Sequence, residues 1–196
     1  DTLIQNNETT DPNEDGGAGL YVSSGTAYLY GGTDVKNNRS ASDGGGIRVD
    51  NGTVNITDSG SQIIGNTAVR GGNIYAGSRG SVIIYGGADV RGGTAGTDGG
   101  GIFASNATVT ISDGGTYVGY PFANNGINVA TNNGGSICAM DSDIGIGNGA
   151  GIASSYALDS GGGIWCDNST IHLLSGATIG ANSGNYRTNY ANVSGA

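Results

Sequence analysis

The string Gly-Gly-x-Ile, or a close variant of it, returns along this chain at nearly constant spacing. Its apolar anchor falls at Leu20, Ile47, Ile74, Ile102, Ile137 and Ile164, at intervals of 27, 27, 28, 35 and 27 residues. A fixed period of this size marks a solenoid, whose repeats cannot bury their apolar side alone and become stable only on their neighbours. Two residues past each anchor stand Val22, Val49, Ala76, Ala104, Ala139 and Cys166. Alternation of this kind, with period two, is that of a strand with one buried face. Seven and nine residues past the anchors come Ala27 and Leu29, Val54 and Ile56, Val109 and Ile111, Ile144 and Ile146, and Ile171 and Leu173. In the third repeat the pair is Val82 and Ile84, displaced by one residue, which accounts for the 28-residue interval. A third apolar point follows at Val35, Ile63, Val90, Val118, Ile152 and Ile179.

Each repeat therefore predicts three short strands separated by Gly, Asn, Asp and Ser. The chain reads as all-β: a single-stranded, right-handed parallel β-helix of about six to seven coils, each of roughly 27 residues. Stacking coils at about 4.8 Å sets each Ile over its counterpart and closes a dry interior. The length of 196 residues suits one domain. Its expected parts are an N-terminal tail or cap over 1–15, coils over 16–183, and a C-terminal tail or cap over 184–196. The start at Asp1 is expected of a processed form, a trimmed chain or a fragment. Glycine takes 41 positions and proline 2, but the glycines do not recur every third residue, which excludes a collagen triple helix. They are expected instead at corners, where backbone angles and close approach between coils exclude side chains.

Asp43-Gly-Gly-Gly-Ile47, Asp98-Gly-Gly-Gly-Ile102 and Gly161-Gly-Gly-Ile164 recur with an apolar-x-x-Asn pattern at Val35 to Asn38, Ile63 to Asn66 and Ile179 to Asn182. These motifs resemble the repeats of the polymorphic outer membrane proteins of chlamydiae, and are similar to glycine-rich β-helical adhesins of bacterial surfaces. The resemblance covers about residues 16 to 183, with Ile or Val here where the chlamydial repeats place Phe before x-x-Asn. It implies an extracellular or cell-surface structural protein: an adhesin or stalk segment that meets glycans or proteins of a host or cell surface.

Stacking turns sequence positions into columns. The residue after each anchor points outward and reads Tyr21, Arg48, Tyr75, Phe103, Cys138, Trp165, a mostly aromatic column expected to be exposed. It serves either as a ladder between neighbouring coils or as a platform for sugar rings or a partner. Tyr21, Tyr75, Phe103 and Trp165 are the binding candidates, together with Tyr120 and Phe122 in the longer fourth coil, where residues 120–129 are expected to leave the helix as a loop. Four residues before the anchors, Asp43, Arg70 and Asp98 form an alternating charge column. By this register Cys138 faces out and Cys166 faces in, so both are expected unpaired.

A net charge of −9 with only 7 scattered basic residues argues against nucleic acid as a partner. No apolar run approaches the length of a membrane-spanning helix. The acids are dispersed over corners without the carboxylate pairs of carbohydrate-cleaving β-helices, and the one histidine, His172, sits outward between Ile171 and Leu173. The expectation is a protein that is not an enzyme and uses no metal or cofactor. The open alternatives are a subunit that stacks end to end with its own copies into a fibre, and a carbohydrate-active enzyme. Seven Asn-x-Ser/Thr triplets, at Asn7, Asn38, Asn51, Asn55, Asn106, Asn168 and Asn192, leave glycosylation open.

Overall fold

The computed structural model describes residues 2–119, 126–180 and 189–191. Every strand pair is parallel and joins one coil to the next, so the chain is a parallel β-solenoid of about 6 turns. The strands fall into four sheets, two of six strands and two of seven. Sheet I carries the anchors, in strands Leu20–Val22, Ile47–Asp50, Ile74–Gly77, Ile102–Ser105, Ile137–Met140 and Ile164–Asp167. Sheet II holds the second apolar pairs, in Gly25–Leu29, Gly52–Thr57, Ser81–Tyr85, Thr108–Ile111, Asp143–Ile146 and Thr170–Leu173. Sheet III holds the third apolar point, in Leu3–Gln5, Asp34–Lys36, Gln62–Ile64, Asp89–Arg91, Tyr117–Val118, Gly151–Ile152 and Thr178–Ile179. These three are the expected strands. A fourth, sheet IV, is made of segments of two or three residues just beyond sheet III, from Glu8–Thr9 to Tyr190–Ala191. Residues 1–15, expected as a tail or cap, include the first strands of sheets III and IV, which pair onto Asp34–Lys36 and Arg39–Ser40.

The register follows from the apolar pattern. Ile47 pairs with Leu20 and Ile74, and the anchors continue in register through Ile102, Ile137 and Ile164. Ile47, Ile56, Ile63, Ile74, Ile84, Ile102, Ile111, Ile137, Ile144, Ile146 and Ile152 are completely buried in one continuous core. Each contributes on the order of 1.5–3 kcal/mol on burial, which offsets the ordering cost of a glycine-rich backbone. The corner from sheet I to sheet II needs a left-handed residue, supplied by Asn51, Asn106, Asp141 and Asn168 at φ of 52°, 52°, 50° and 46°. Asn and Asp tolerate that region best among residues with side chains. The third coil has two left-handed residues there, Ser78 and Arg79, and this extra residue is the one-step displacement of Val82 and Ile84.

An interior ladder of asparagine side chains runs where sheets III and IV meet the Gly-Gly turn. Asn38 Oδ1 accepts from the Asn7 backbone N–H at 3.0 Å, and Asn66 Oδ1 accepts from the Asn38 N–H at 2.8 Å. Asn66 Nδ2 in turn donates to Val35 O at 3.0 Å and to Asn73 Oδ1 at 2.9 Å. In the third coil the ladder position is Gly93, and its slot is filled from across the interior by Asn73, which replaces the last glycine of the Gly-Gly-Gly run. Asn128 resumes the ladder by accepting from the Gly93 N–H. In the second and fourth coils a glycine at that last position leaves no room for a side chain: a Cβ on Gly46 would lie 2.7 Å from Asn66 Nδ2, and one on Gly101 2.8 Å from Asn128 Nδ2, whereas the fifth coil carries Ser136, whose Oγ donates to Val118 O. The glycine before this position faces backbone, since a Cβ on Gly72 would lie 2.5 Å from Thr94 N and 2.6 Å from Gly100 O.

Candidate functional site

The outward column of sheet I is a packed spine rather than an open platform. Tyr75 is 9% exposed, Phe103 1% and Cys138 1%, whereas Tyr21 is 40% exposed. Arginines from two columns cover the rings. Arg48 lies over the ring of Tyr75 at 4.8 Å and that of Tyr21 at 5.7 Å. Arg70 lies over Phe103 at 4.9 Å and Tyr75 at 5.4 Å. The Tyr75 and Phe103 rings stack on each other with centroids 5.5 Å apart. The Tyr75 ring is thus covered by Arg48 and by Phe103, and the expectation that the column is exposed is corrected at Tyr75, Phe103 and Cys138. Burial is also the main cause that pushes the Tyr75 phenol above its ordinary pKa.

Acids lock the two arginines in place. Asp43, itself buried, accepts from Arg70 Nε at 2.9 Å and Nη2 at 2.7 Å, a bidentate pair, while Arg48 Nε donates to Asp50 Oδ2 at 2.6 Å. Asp98 instead accepts from the Asn133 backbone and side-chain N–H groups, at 3.1 Å each. The charge column thus resolves into one ion pair and one hydrogen-bonded step. A Cβ on Gly77 would lie 2.6 Å from the Tyr75 ring and 2.8 Å from Asp50 Oδ1, so this glycine makes room for the tyrosine. Beyond Tyr75 the corner opens into a shallow groove of about 420 Å³, lined by Asn51, Tyr75, Ser78, Arg79, Ser105 and Asn106.

Trp165 is half-buried at the far end of the spine, beside Met140 and Cys138. Cys138 and Cys166 are both free, the first buried and the second exposed on the last described strand of sheet I. Burial first, and the Asp98 charge second, push the Cys138 thiol up to about 12, so it is inert as a nucleophile. Tyr120 and Phe122 lie outside the described residues. His172 is exposed, as its place between two inward residues predicts, and its Nε2 is 3.2 Å from Asp143 Oδ1. Among the described residues no three His, Cys, Asp or Glu side chains are grouped to hold a metal ion, and no helix is long and apolar enough to cross a membrane.

The open aromatic surface lies one sheet further on, on residues that the column reading passed over. On sheet II the side chains opposite the core belong to Thr26 and Tyr28 in the first coil, with Tyr30 just past its strand end, Thr53, Asn55 and Thr57 in the second, Ser81, Ile83 and Tyr85 in the third, and Thr108 and Thr110 in the fourth. Tyr28 and Tyr30 are 63% and 64% exposed. The signal was present in sequence: Ala27 and Leu29 face the core, so the residues alternating with them face out. Comparison of the chain with protein-family models, with curated proteins and with solved structures gives no match in any of the three.

Proposed function

We propose that this chain is a non-catalytic structural and adhesive element, a surface adhesin or stalk segment that works outside the cell. The observation that carries the reading is the open outer face of sheet II, where two tyrosines stand in solvent on a rigid stacked scaffold. Large exposed aromatics mark contact surfaces, because their burial against a partner is favourable and ordering their few rotatable bonds costs little. The glycine-rich repeats, similar to those of bacterial surface adhesins, agree with this role. Beads coated with the purified chain should be retained on some of a panel of cells and cell-wall preparations, above beads coated with an unrelated acidic protein. Retention equal to that control on every surface refutes adhesion.

A second reading, assembly of copies end to end, is favoured by the last described coil. Leu173 and Ile179 are exposed at 57% and 44% on the last described strands of sheets II and III, and Leu174, just past the first of these, at 60%; such edges can pair with another copy. Electron microscopy of concentrated protein decides it: filaments support the fibre, and separate short rods exclude it.

A further inference from the structure

We infer that the outer face of sheet II binds an extended, uncharged polysaccharide, with Tyr28, Tyr30 and Tyr85 as the stacking residues. The inference rests on the adhesive reading and names its ligand class.

The face is regular because the register is. Tyr28 pairs with Asn55 and Asn55 with Ile83, while Thr57 pairs with Tyr85. Tyr30 follows Leu29, the partner of Ile56, so Tyr30, Thr57 and Tyr85 fall on one line across three coils. At about 4.8 Å per coil the backbone positions of Tyr30 and Tyr85 are roughly 10 Å apart, and at about 3.3 Å per residue those of Tyr28 and Tyr30 are roughly 7 Å apart. Aromatic anchors at such spacings suit a chain of pyranose rings, each of which offers an apolar C–H face to stack and hydroxyls at its rim.

Hydroxyls and amides flank the rings. Thr26, Thr53, Ser81 and Thr108 form one unbroken column along the first edge of the face, with Thr57 between Tyr30 and Tyr85, and Asn55 and Thr110 on either side of Ile83. Each can both donate and accept, as a sugar hydroxyl requires. The charge pattern selects further. The chain carries 16 acids and 7 basic residues, yet none of the outward positions of sheet II in the first four coils is charged. A face without charge matches a ligand without charge. It offers nothing to phosphate or to an anionic lipid surface, and of the residues enriched in protein-binding patches it carries tyrosine but neither arginine nor methionine. In the fifth and sixth coils this surface changes character, with Asp143, Gly145 and His172 in the same columns, so the platform ends near Thr108 and Thr110.

The test is calorimetric titration of the full chain with short linear oligomers of glucose, xylose, mannose and N-acetylglucosamine, beside a Tyr28→Ala, Tyr30→Ala, Tyr85→Ala triple variant. These tyrosines lie outside the core, so circular dichroism should show the variant folded; a Tyr30→Ala single variant stands in should it not. We expect at least one oligomer series to bind more tightly as it lengthens, and the triple variant to lose about tenfold or more in affinity, some 1.4 kcal/mol. No binding by any series, or equal binding by the variants, overturns the inference. Bead adhesion that depends on the tyrosines but survives enzymatic removal of surface glycans would assign the face to a protein partner, leaving adhesion intact and refuting the sugar. Loss of all adhesion would refute the underlying reading.

Discussion

Replacing Asn66 by alanine removes one rung of the interior asparagine ladder. The Asn66 side chain accepts from the Asn38 N–H at 2.8 Å and from Asn38 Nδ2 at 2.9 Å, and donates to Val35 O and to Asn73 Oδ1. Two of the partners keep a second contact: Asn38 Nδ2 still reaches Ile4 O at 3.0 Å, and Asn73 Oδ1 still accepts from the Asn66 backbone N–H at 3.2 Å. The Asn38 N–H is left with none in a site where Asn38 is 1% exposed and Asn66 0%. An orphaned buried donor costs about 1–3 kcal/mol, and the remaining lost bonds add about 1 kcal/mol net. We therefore expect a loss of about 3 kcal/mol, read as a lower midpoint in urea denaturation, against no more than about 0.5 kcal/mol for Thr94→Ala on the exposed side of sheet IV. Asn66→Asp is the sharper variant. It keeps the acceptor but turns an oxygen toward Val35 O and Asn73 Oδ1, so at pH 7 it should be at least as damaging as alanine and recover partly in acid, where a protonated carboxyl can donate. A loss below about 1 kcal/mol for the alanine variant, or an aspartate variant as stable as the parent at pH 7, would show that the ladder is incidental.

Three further outcomes are expected. Burial pushes the Asp89 carboxyl up to about 6 despite the nearby Arg91 charge, so the folded state holds a proton that the unfolded chain releases near its ordinary value of 3.8. Stability then falls as pH rises from about 4 to 6, and Asp89→Asn should be more stable than the parent at pH 7 by about 1–3 kcal/mol, with no gain at pH 3, in paired thermal melts. A chromogenic disulfide reagent should modify one thiol quickly in the native protein, that of Cys166, and the second only on unfolding; rapid reaction of both would contradict the burial of Cys138. Gly72→Ala should abolish the folded state or lower its melting point steeply, because backbone atoms at 2.5 and 2.6 Å cannot yield as a side-chain tip could; near-normal melting would show that the turn relaxes.

The solenoid, its coil length and its interior columns were legible in the residues, and for a physical reason. In a parallel stack each side chain meets its counterpart one coil away, so burial of Leu20, Ile47 and Ile74 along one line is the same fact as their spacing. Reading which side each strand residue takes needed only alternation, and His172, between two inward residues, is exposed accordingly. The asparagine pattern was visible too, although its partner Asn73 was not, since Gly93 and Asn73 exchange roles across the interior.

What the one-dimensional pattern could not decide was whether a residue facing outward reaches water. Tyr75 and Tyr28 both point away from the core, yet the first is 9% exposed and the second 63%. The difference lies in neighbours from other coils and corners: Arg48 and Arg70 reach over Tyr75, each anchored by an acid, while among the described residues no arginine lies over the ring of Tyr28. Facing follows from backbone alternation along one strand, but exposure is a property of the whole surface, and long side chains such as arginine reach over positions that their own column does not reveal.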